Sequence, residues 1–429
     1  MKIGHVMVAV GMILLAPARL GAEDGIDRLV SRYADATAAT QDISGAAKHR
    51  ATIRPDGSWA DIDYADQRRS RWTTGIQHLG HRLCVLAADW RRNRDGASLA
   101  AAHLALRFWL SRRFTNPNWW WNVIGVPMSI GNAALMMDEE LTDDERRGVI
   151  EVMSVKAAKS MNGQNLAWIA ENRLRRGLLA RDEKMVRDAI AVIAGTVSIG
   201  ELAGIQEDWC FHQHGTQPQF GNYGFSFLLG QSRLAAILAG SDFPYPPEKL
   251  ELVRNLASEG YSWICWNGMM DVSALGRQLF RNAQRDRAAG VARAFANLEK
   301  TGWRRPSPRV GFRYFHKSAY AIYRTADFMA SVPAHRFPLL PQERVRGLPR
   351  GGLHGIHPRL HAVDHRHGNL DQRGQCEGDV HGRRSAYDVC DRARVRKRVP
   401  ALGRLADDSR RDGISRQTGR QERLPQRAR

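Results

Sequence analysis

The chain has 429 residues, room for one large hydrophobic core or two ordinary ones. Its formal charge of +20, from 64 Lys and Arg against 44 Asp and Glu, implies an anionic partner without choosing among polysaccharide, nucleic acid and membrane surface. Five scattered cysteines (Cys84, Cys210, Cys265, Cys376, Cys390), odd in number and without CxxC spacing, exclude a disulfide framework and a zinc site.

The chain opens like an export signal. Met1-Lys2 supplies the basic start, Val6 to Ala16 a short apolar run, and Gly21-Ala22 a small-residue exit. The run is too short to span a bilayer comfortably, and no other segment is apolar enough. The expectation is a signal peptide over 1–22 and a secreted or periplasmic mature protein with no membrane span.

From about residue 23 to 330 the pattern is helical almost throughout. Ser98–Arg113 places Leu99, Leu104, Leu106, Phe108 and Leu110 on a broad apolar face. Thr142 with Glu145 spells a capping box ahead of Val149, Ile150 and Met153. Further helices are expected at Glu183–Ala203, at Glu248–Ser262 after Pro246-Pro247, and at Arg285–Lys300, which Gly302 stops. Strand-like alternation is scarce. The expected fold is all-α, an array of helical hairpins forming a toroid or a solenoid, without a clean short repeat.

Beyond about Val332 the character changes. Residues 340–429 hold twenty arginines, one lysine (Lys397), one tyrosine (Tyr387) and no Phe or Trp, and they carry half of the net charge. Such a segment buries too little apolar surface to offset its chain entropy. It reads as a disordered basic tail or, in preference, as a GC-rich reading frame that has slipped, which yields Arg-rich, Lys-poor text. His354, His357, His361, His365 and His367 have the spacing of a metal tract, but in a segment of that origin they carry no metal assignment. Nor is nucleic-acid binding expected: no recognition motif accompanies the charge, and the export signal opposes it.

Four clusters in the helical region can carry chemistry. Asn118-Trp119-Trp120-Trp121-Asn122, followed by Ile124-Gly125-Val126-Pro127, offers flat indole faces for sugar rings; tryptophans also fill cores, but three in a row cannot all face inward. Asn162-Gly163-Gln164-Asn165 is a polar turn that serves equally well as a helix cap. Between Gly204 and Gly224, Gln213, His214 and Tyr223 stand among amides and small turn residues, a density that a structural loop does not need. Arg277 and Arg281, at i and i+4, would share one helical face and clamp a carboxylate or sulfate, or else form a solvated basic face. The adjacent carboxylates of Glu207 and Asp208 lack a second acid and make hydrolysis the poorer reading.

Taken in this order, the tryptophan run, the Asn-bearing turn, the Gln-His-Gly with a Tyr nine residues on, and the paired arginines resemble polysaccharide lyase family 8, its chondroitin AC-type members above all. The resemblance runs from Pro55-Asp56-Gly57-Ser58-Trp59 through Arg281 and more weakly to Val332. It implies an incomplete (α/α) toroid over 23–332, the family's C-terminal β-sandwich domains and their Ser-Gly-Asn-rich glutamate motif being unseen in the sequence, and an Arg-rich tail over 333–429.

Position by position, the resemblance implies catalytic roles for Asn165, His214, Tyr223, Arg277 and Arg281, and substrate binding by Trp119 and Trp120, with Asn118 and Gln213 beside them. Asn165 and His214 would neutralise a uronate carboxylate, and Tyr223 would act as base and then acid in a β-elimination. The two arginines would favour the phenolate. No metal or organic cofactor enters this chemistry. The expected partner is an acidic polysaccharide, and the expected state a monomer.

Overall fold

The computed structural model of the chain describes residues 25–155, 160–200 and 202–334, together with the backbone of His361–Asp364. Contacts divide the chain into Met1–Glu377, which holds all of these, and Gly378–Arg429. The expected signal peptide, nearly all of the expected tail, Cys376, Cys390, and His354, His357, His365 and His367 lie outside the described residues.

Along the chain the helices are α1 (Gly25–Ala38), α2 (Ala46–Thr52), α3 (Cys84–Asn93), α4 (Gly96–Arg112), α5 (Val126–Met136), α6 (Asp143–Val152), α7 (Gly163–Ala180), α8 (Glu183–Gly195), α9 (Phe225–Leu238), α10 (Pro247–Asn255), α11 (Ser262–Ile264) and α12 (Ala283–Glu299). Wider π-type turns at Thr74–Leu83, Trp121–Gly125, Phe220–Gly224 and Leu256–Tyr261 lead into or out of them. Among the described residues no helix is long and apolar enough to cross a membrane.

Two hairpins are built by the same dipeptide. Arg94 (φ +54°) and Arg181 (φ +55°) end α3 and α7 in the left-handed conformation that turns a helix off. The next residue in each case, Asp95 or Asp182, caps the following helix by accepting from the N–H of Ala97 or Met185. A two-residue link of this kind forces α4 back along α3 and α8 back along α7, and both pairs are in contact. The box at α6 forms as its sequence predicts, Thr142 taking the N–H of Glu145 and Glu145 that of Thr142.

The buried side chains form two cores. One gathers residues between Ile26 and Tyr245, the other residues between Val197 and Met329. Helix α9 belongs to both: Phe225, Phe227 and Leu228 pack into the second, Leu234, Ala235, Ile237 and Leu238 into the first. Gly57 (φ +88°) allows the loop before α3 to press on α4, where a Cβ would stand 2.2 Å from the carbonyl oxygen of Leu104.

Two expectations are corrected here. The helix expected over Glu183–Ala203 stops at Gly195, because Thr196 turns its hydroxyl back onto the carbonyl of Ile193 and the chain then bridges Ile199 to Ile205 in extended form. The stretch before Val332, expected to be helical, holds strands instead. After the short hairpins β1 (Gly204–Ile205) with β2 (Phe211–His212) and β3 (Cys265–Trp266) with β4 (Met269–Met270), the strands β5 (Gly311–Phe315), β6 (Tyr320–Arg324), β7 (Phe328–Pro333) and β8 (His361–Asp364) form one antiparallel sheet in that order. Its inner face buries Phe315, Tyr320, Ile322 and Met329, while Phe312 and Tyr323, paired across β5 and β6, stand 67% and 51% exposed.

Candidate active site

The Trp119–Trp121 turn, the start of α7 and the Gln213–Tyr223 segment come together in space. The indoles of Trp121 and Trp120 meet edge to face at 5.1 Å, Trp120 meets Trp168 at 5.8 Å, Trp168 meets Tyr223 at 5.9 Å, and Tyr223 meets His214 at 5.0 Å between ring centroids. Three clusters that are far apart in sequence thus share one unbroken row of rings. Trp119, the first of the three tryptophans, is 43% exposed, Trp120 and Tyr223 are half-buried, and His214 is exposed.

Asn165 lies inside the first turn of α7 rather than in a free turn, three residues before Trp168 and therefore on the same helical face. It is buried, and its Oδ1 has no hydrogen-bond partner; the same holds for Oε1 of the neighbouring Gln164. A buried, unsatisfied amide oxygen costs about 1–3 kcal/mol, a cost that a structural role does not explain.

Gln213 departs from its expected place on the ligand. It is 2% exposed, its Oε1 accepts from the N–H of Gln164 at 3.0 Å, and its Nε2 donates to Asn162 Oδ1 at 3.2 Å. The contact is close enough that a Cβ on Gly163 (φ +51°) would stand 2.2 Å from that Oε1. Gln213 ties the His214 loop to the helix that carries Asn165. Asn118 is also engaged, donating to the carbonyl of Arg69 at 2.9 Å and accepting from the N–H of Trp120 at 3.1 Å, so it shapes the tryptophan turn.

Backbone geometry explains the glycines around Tyr223. The turn Phe220–Gly224 sits directly on Leu275, whose Cα would be 2.6 Å from a Cβ on Gly221, and on Tyr261, whose hydroxyl would be 2.7 Å from one on Gly224. His214 adopts φ +61°, a left-handed conformation that costs a residue with a Cβ about 1 kcal/mol.

Arg277 and Arg281 do not share a helical face. They lie in an irregular loop before α12, bounded by left-handed Gly276 (φ +62°) and Asn282 (φ +64°), and both are exposed. The loop is held to the Tyr223 turn by Gln278, which donates to Asn222 Oδ1 at 3.0 Å and accepts from Arg287 at 2.9 Å. Tertiary bonds through Gln278, rather than an i, i+4 helix, fix this loop.

Beneath the His214 loop, His212 is buried, and burial lowers its pKa to about 4. Its Nε2 pairs with Ser318 Oγ at 3.0 Å, across to the β5–β6 hairpin. Asp208 accepts from the N–H groups of Cys210 and Lys317, and Glu207 pairs with Lys317 Nζ at 3.1 Å. The two adjacent carboxylates are thus a clip between loop and sheet, with no arrangement for hydrolysis. The cysteines among the described residues, Cys84, Cys210 and Cys265, are free thiols.

Against known proteins, the family model for the N-terminal α-helical domain of polysaccharide lyase family 8 matches residues 23–302. A chondroitinase AC of Pedobacter heparinus is 26% identical over 244 residues, 55% of this chain and 35% of that protein. A hyaluronate lyase of Thermasporomyces composti is 27% identical over 207 residues, 46% of this chain and 26% of that protein. In three dimensions a chondroitinase AC lyase, solved in complexes with oligosaccharides, aligns with a TM-score of 0.61 at 21% identity over 72% of this chain and 50% of that one. The chain therefore spans about a third or less of the length of these curated relatives and shares with the solved enzyme the fold of its helical part. With a match over well more than half of its residues, the chain belongs to polysaccharide lyase family 8 and carries that family's N-terminal α-helical domain.

Proposed function

We propose that this chain binds a uronate-bearing acidic polysaccharide of the chondroitin or hyaluronan type along the row of rings and cleaves it by β-elimination. One observation carries the reading. His214 and Tyr223, 5.0 Å apart, stand at one end of a row of ring contacts that runs through Trp168 and Trp120 to Trp121, and Trp119, next to Trp120 in sequence, is 43% exposed.

Trp119 and Trp120 seat the sugar rings by stacking, and exposed Arg277 and Arg281 attract the anionic chain. Asn165 meets the uronate carboxyl group. Its amide has one donor group and one unsatisfied acceptor, the pattern that complements a protonated carboxyl. Keeping that group neutral, with His214 beside it, makes the C5 proton acidic enough to leave and stabilises the enolate-like intermediate.

Tyr223, as phenolate, takes the C5 proton. The electron pair forms the C4–C5 double bond and the C4–O bond breaks. The phenol then returns its proton to the departing glycosidic oxygen, so that one side chain is base and acid in turn. A phenol of ordinary pKa of about 10 needs positive charge nearby for this, and Arg277 and Arg281 are the candidates. The new non-reducing end is a 4,5-unsaturated uronate.

The test is ultraviolet absorbance in the band of that conjugated product, with chondroitin, hyaluronan and xanthan as substrates and Tyr223→Phe as control. A rise that the substitution abolishes supports the lyase and names its substrate. A second reading, a protein that holds acidic carbohydrate without cutting it, is favoured by coverage. The chain spans 35% of the chondroitinase AC, and whatever the rest of that relative contributes lies outside the match. Binding without any gain in absorbance selects this second reading.

A further inference from the structure

Pro127 has no N–H. In an α-helix running on from Trp119, the carbonyl of Val123 would need the N–H of residue 127 and find none. The chain widens instead into the π-type turn Trp121–Gly125, with the N–H of Val126 reaching back to the carbonyl of Trp121. The carbonyl that Pro127 leaves over, and its neighbour, are met from outside. Asn172, at mid-length in α7, donates its Nδ2 to the carbonyl of Ile124 at 3.1 Å and, at 3.4 Å, to that of Val123.

Asn172 is 4% exposed, and its rotamer is fixed from behind. Its Oδ1 accepts from Arg175 Nη1 at 3.0 Å, while Arg175 Nε donates to Asn132 Oδ1 on α5 at 2.7 Å. Arg175 shares the carboxylate of Glu171 with Arg233 of α9, which also reaches the hydroxyl of Tyr33 on α1 at 3.0 Å. Four helices thus converge on one amide, and that amide holds one turn.

The held turn carries the indoles. Gly125 is their floor: a Cβ there would stand 2.7 Å from the rings of both Trp120 and Trp121. Any shift of the carbonyls of Val123 and Ile124 moves Gly125, and with it the edge-to-face angle of 86° between the two indoles.

We propose that Asn172 is a positioning residue of the polysaccharide cleft. It fixes the height and angle of the Trp119–Trp121 turn, and so how a glycan chain is seated, without touching the glycan. The proposal rests on the reading of these tryptophans as a sugar platform.

The experiment uses the full chain with Asn172→Asp, which keeps the acceptor for Arg175 and loses the donor, alone and combined with Trp120→Phe. Two readouts are taken: the part of the tryptophan exciton couplet in circular dichroism of the free protein that Trp120→Phe removes, and the affinity for a chondroitin oligosaccharide from tryptophan fluorescence. Asn172→Asp is expected to lose the couplet as Trp120→Phe does and to weaken binding about tenfold, with that weakening absent in the Trp120→Phe background because both act through one indole. A retained couplet in a folded Asn172→Asp protein overturns the positioning role whatever the binding, as does full additivity with Trp120→Phe. Wild-type protein that binds no oligosaccharide overturns the platform reading, and the cleft role with it, while the couplet still judges whether Asn172 holds the turn. If the aspartate unfolds the chain, Asn172→Leu removes the same donor without adding charge, with the acceptor for Arg175 lost as well, and the couplet and the binding cycle with Trp120→Phe are read in the same way.

Discussion

The ring of His214 meets that of Tyr223 edge to face, at 5.0 Å and 85°, although the first sits on a left-handed backbone and the second on a glycine-bounded turn. The His214 ring is aimed by a backbone that its own side chain does not favour, and this separates stability from activity at that position.

His214→Gly and His214→Ala make that separation measurable. Both remove the imidazole and are expected to lower elimination about 10²-fold. Glycine also relieves φ +61°, so it should be more stable than alanine by about 1 kcal/mol. Thermal melts beside absorbance assays check both; equal stability of the two variants contradicts the strain at this residue.

Asn165→Ala removes a buried oxygen that has no partner. Folding stability is expected to hold or rise, since that group costs about 1–3 kcal/mol, while elimination falls about 10²- to 10³-fold. Urea unfolding together with the rate on chondroitin gives the answer, and a destabilised variant of unchanged rate would reverse the assignment.

Gln213→Leu leaves the buried N–H of Gln164 without its acceptor and frees the His214 loop from α7. The expected loss is about 1–3 kcal/mol in stability, accompanied by a lower kcat. Gly163→Ala, which drives a Cβ into Gln213, should lose stability and rate in the same direction. Denaturation curves and steady-state kinetics on the two variants read both quantities.

Acid should loosen the fold over a defined window. His78 is held neutral, its Nε2 donating to the carbonyl of Ala105 at 2.9 Å and its Nδ1 accepting from the hydroxyl of Tyr64 at 3.0 Å, and burial lowers its pKa to about 4. His212 is lowered to about 4 by burial as well. In the unfolded chain both titrate near 6.5, so below that pH the unfolded state binds protons that the folded state refuses. The stability contribution is complete above about 6.5 and is lost as pH falls to about 4, by about 3 kcal/mol for His78 alone. Melting temperature against pH follows this, and His212→Asn should flatten the slope while lowering stability at neutral pH.

Much of the candidate site was legible because its residues sit in compact motifs. The tryptophan run, Asn165 and the His214–Tyr223 segment were singled out by residue type, and the fold unites them. The geometry of Arg277 and Arg281 was not legible, since spacing alone suggested a helix that two left-handed residues interrupt. Gln213 looked like a ligand contact because a buried amide and an exposed one read alike in sequence. The strands of the β5–β8 sheet were missed although Tyr320, Ile322 and Arg324 alternate with Ala321 and Tyr323, because inward Arg324, held by the carbonyls of Ser262 and Cys265, breaks the apolar pattern. Asn172 gave no signal at all: its role exists only through Pro127, 45 positions earlier in the sequence.

Helix α9 has one end in each core, and Tyr223 lies two residues ahead of its start. Neither core can melt while the other keeps this helix in place, so unfolding is cooperative across the seam and a separately melting half is not expected. Tyr223, at the head of the shared rod, feels the loss of either half. Enzymatic turnover, followed during heating, should then vanish together with the calorimetric transition and serve as an inexpensive thermometer of the whole helical array.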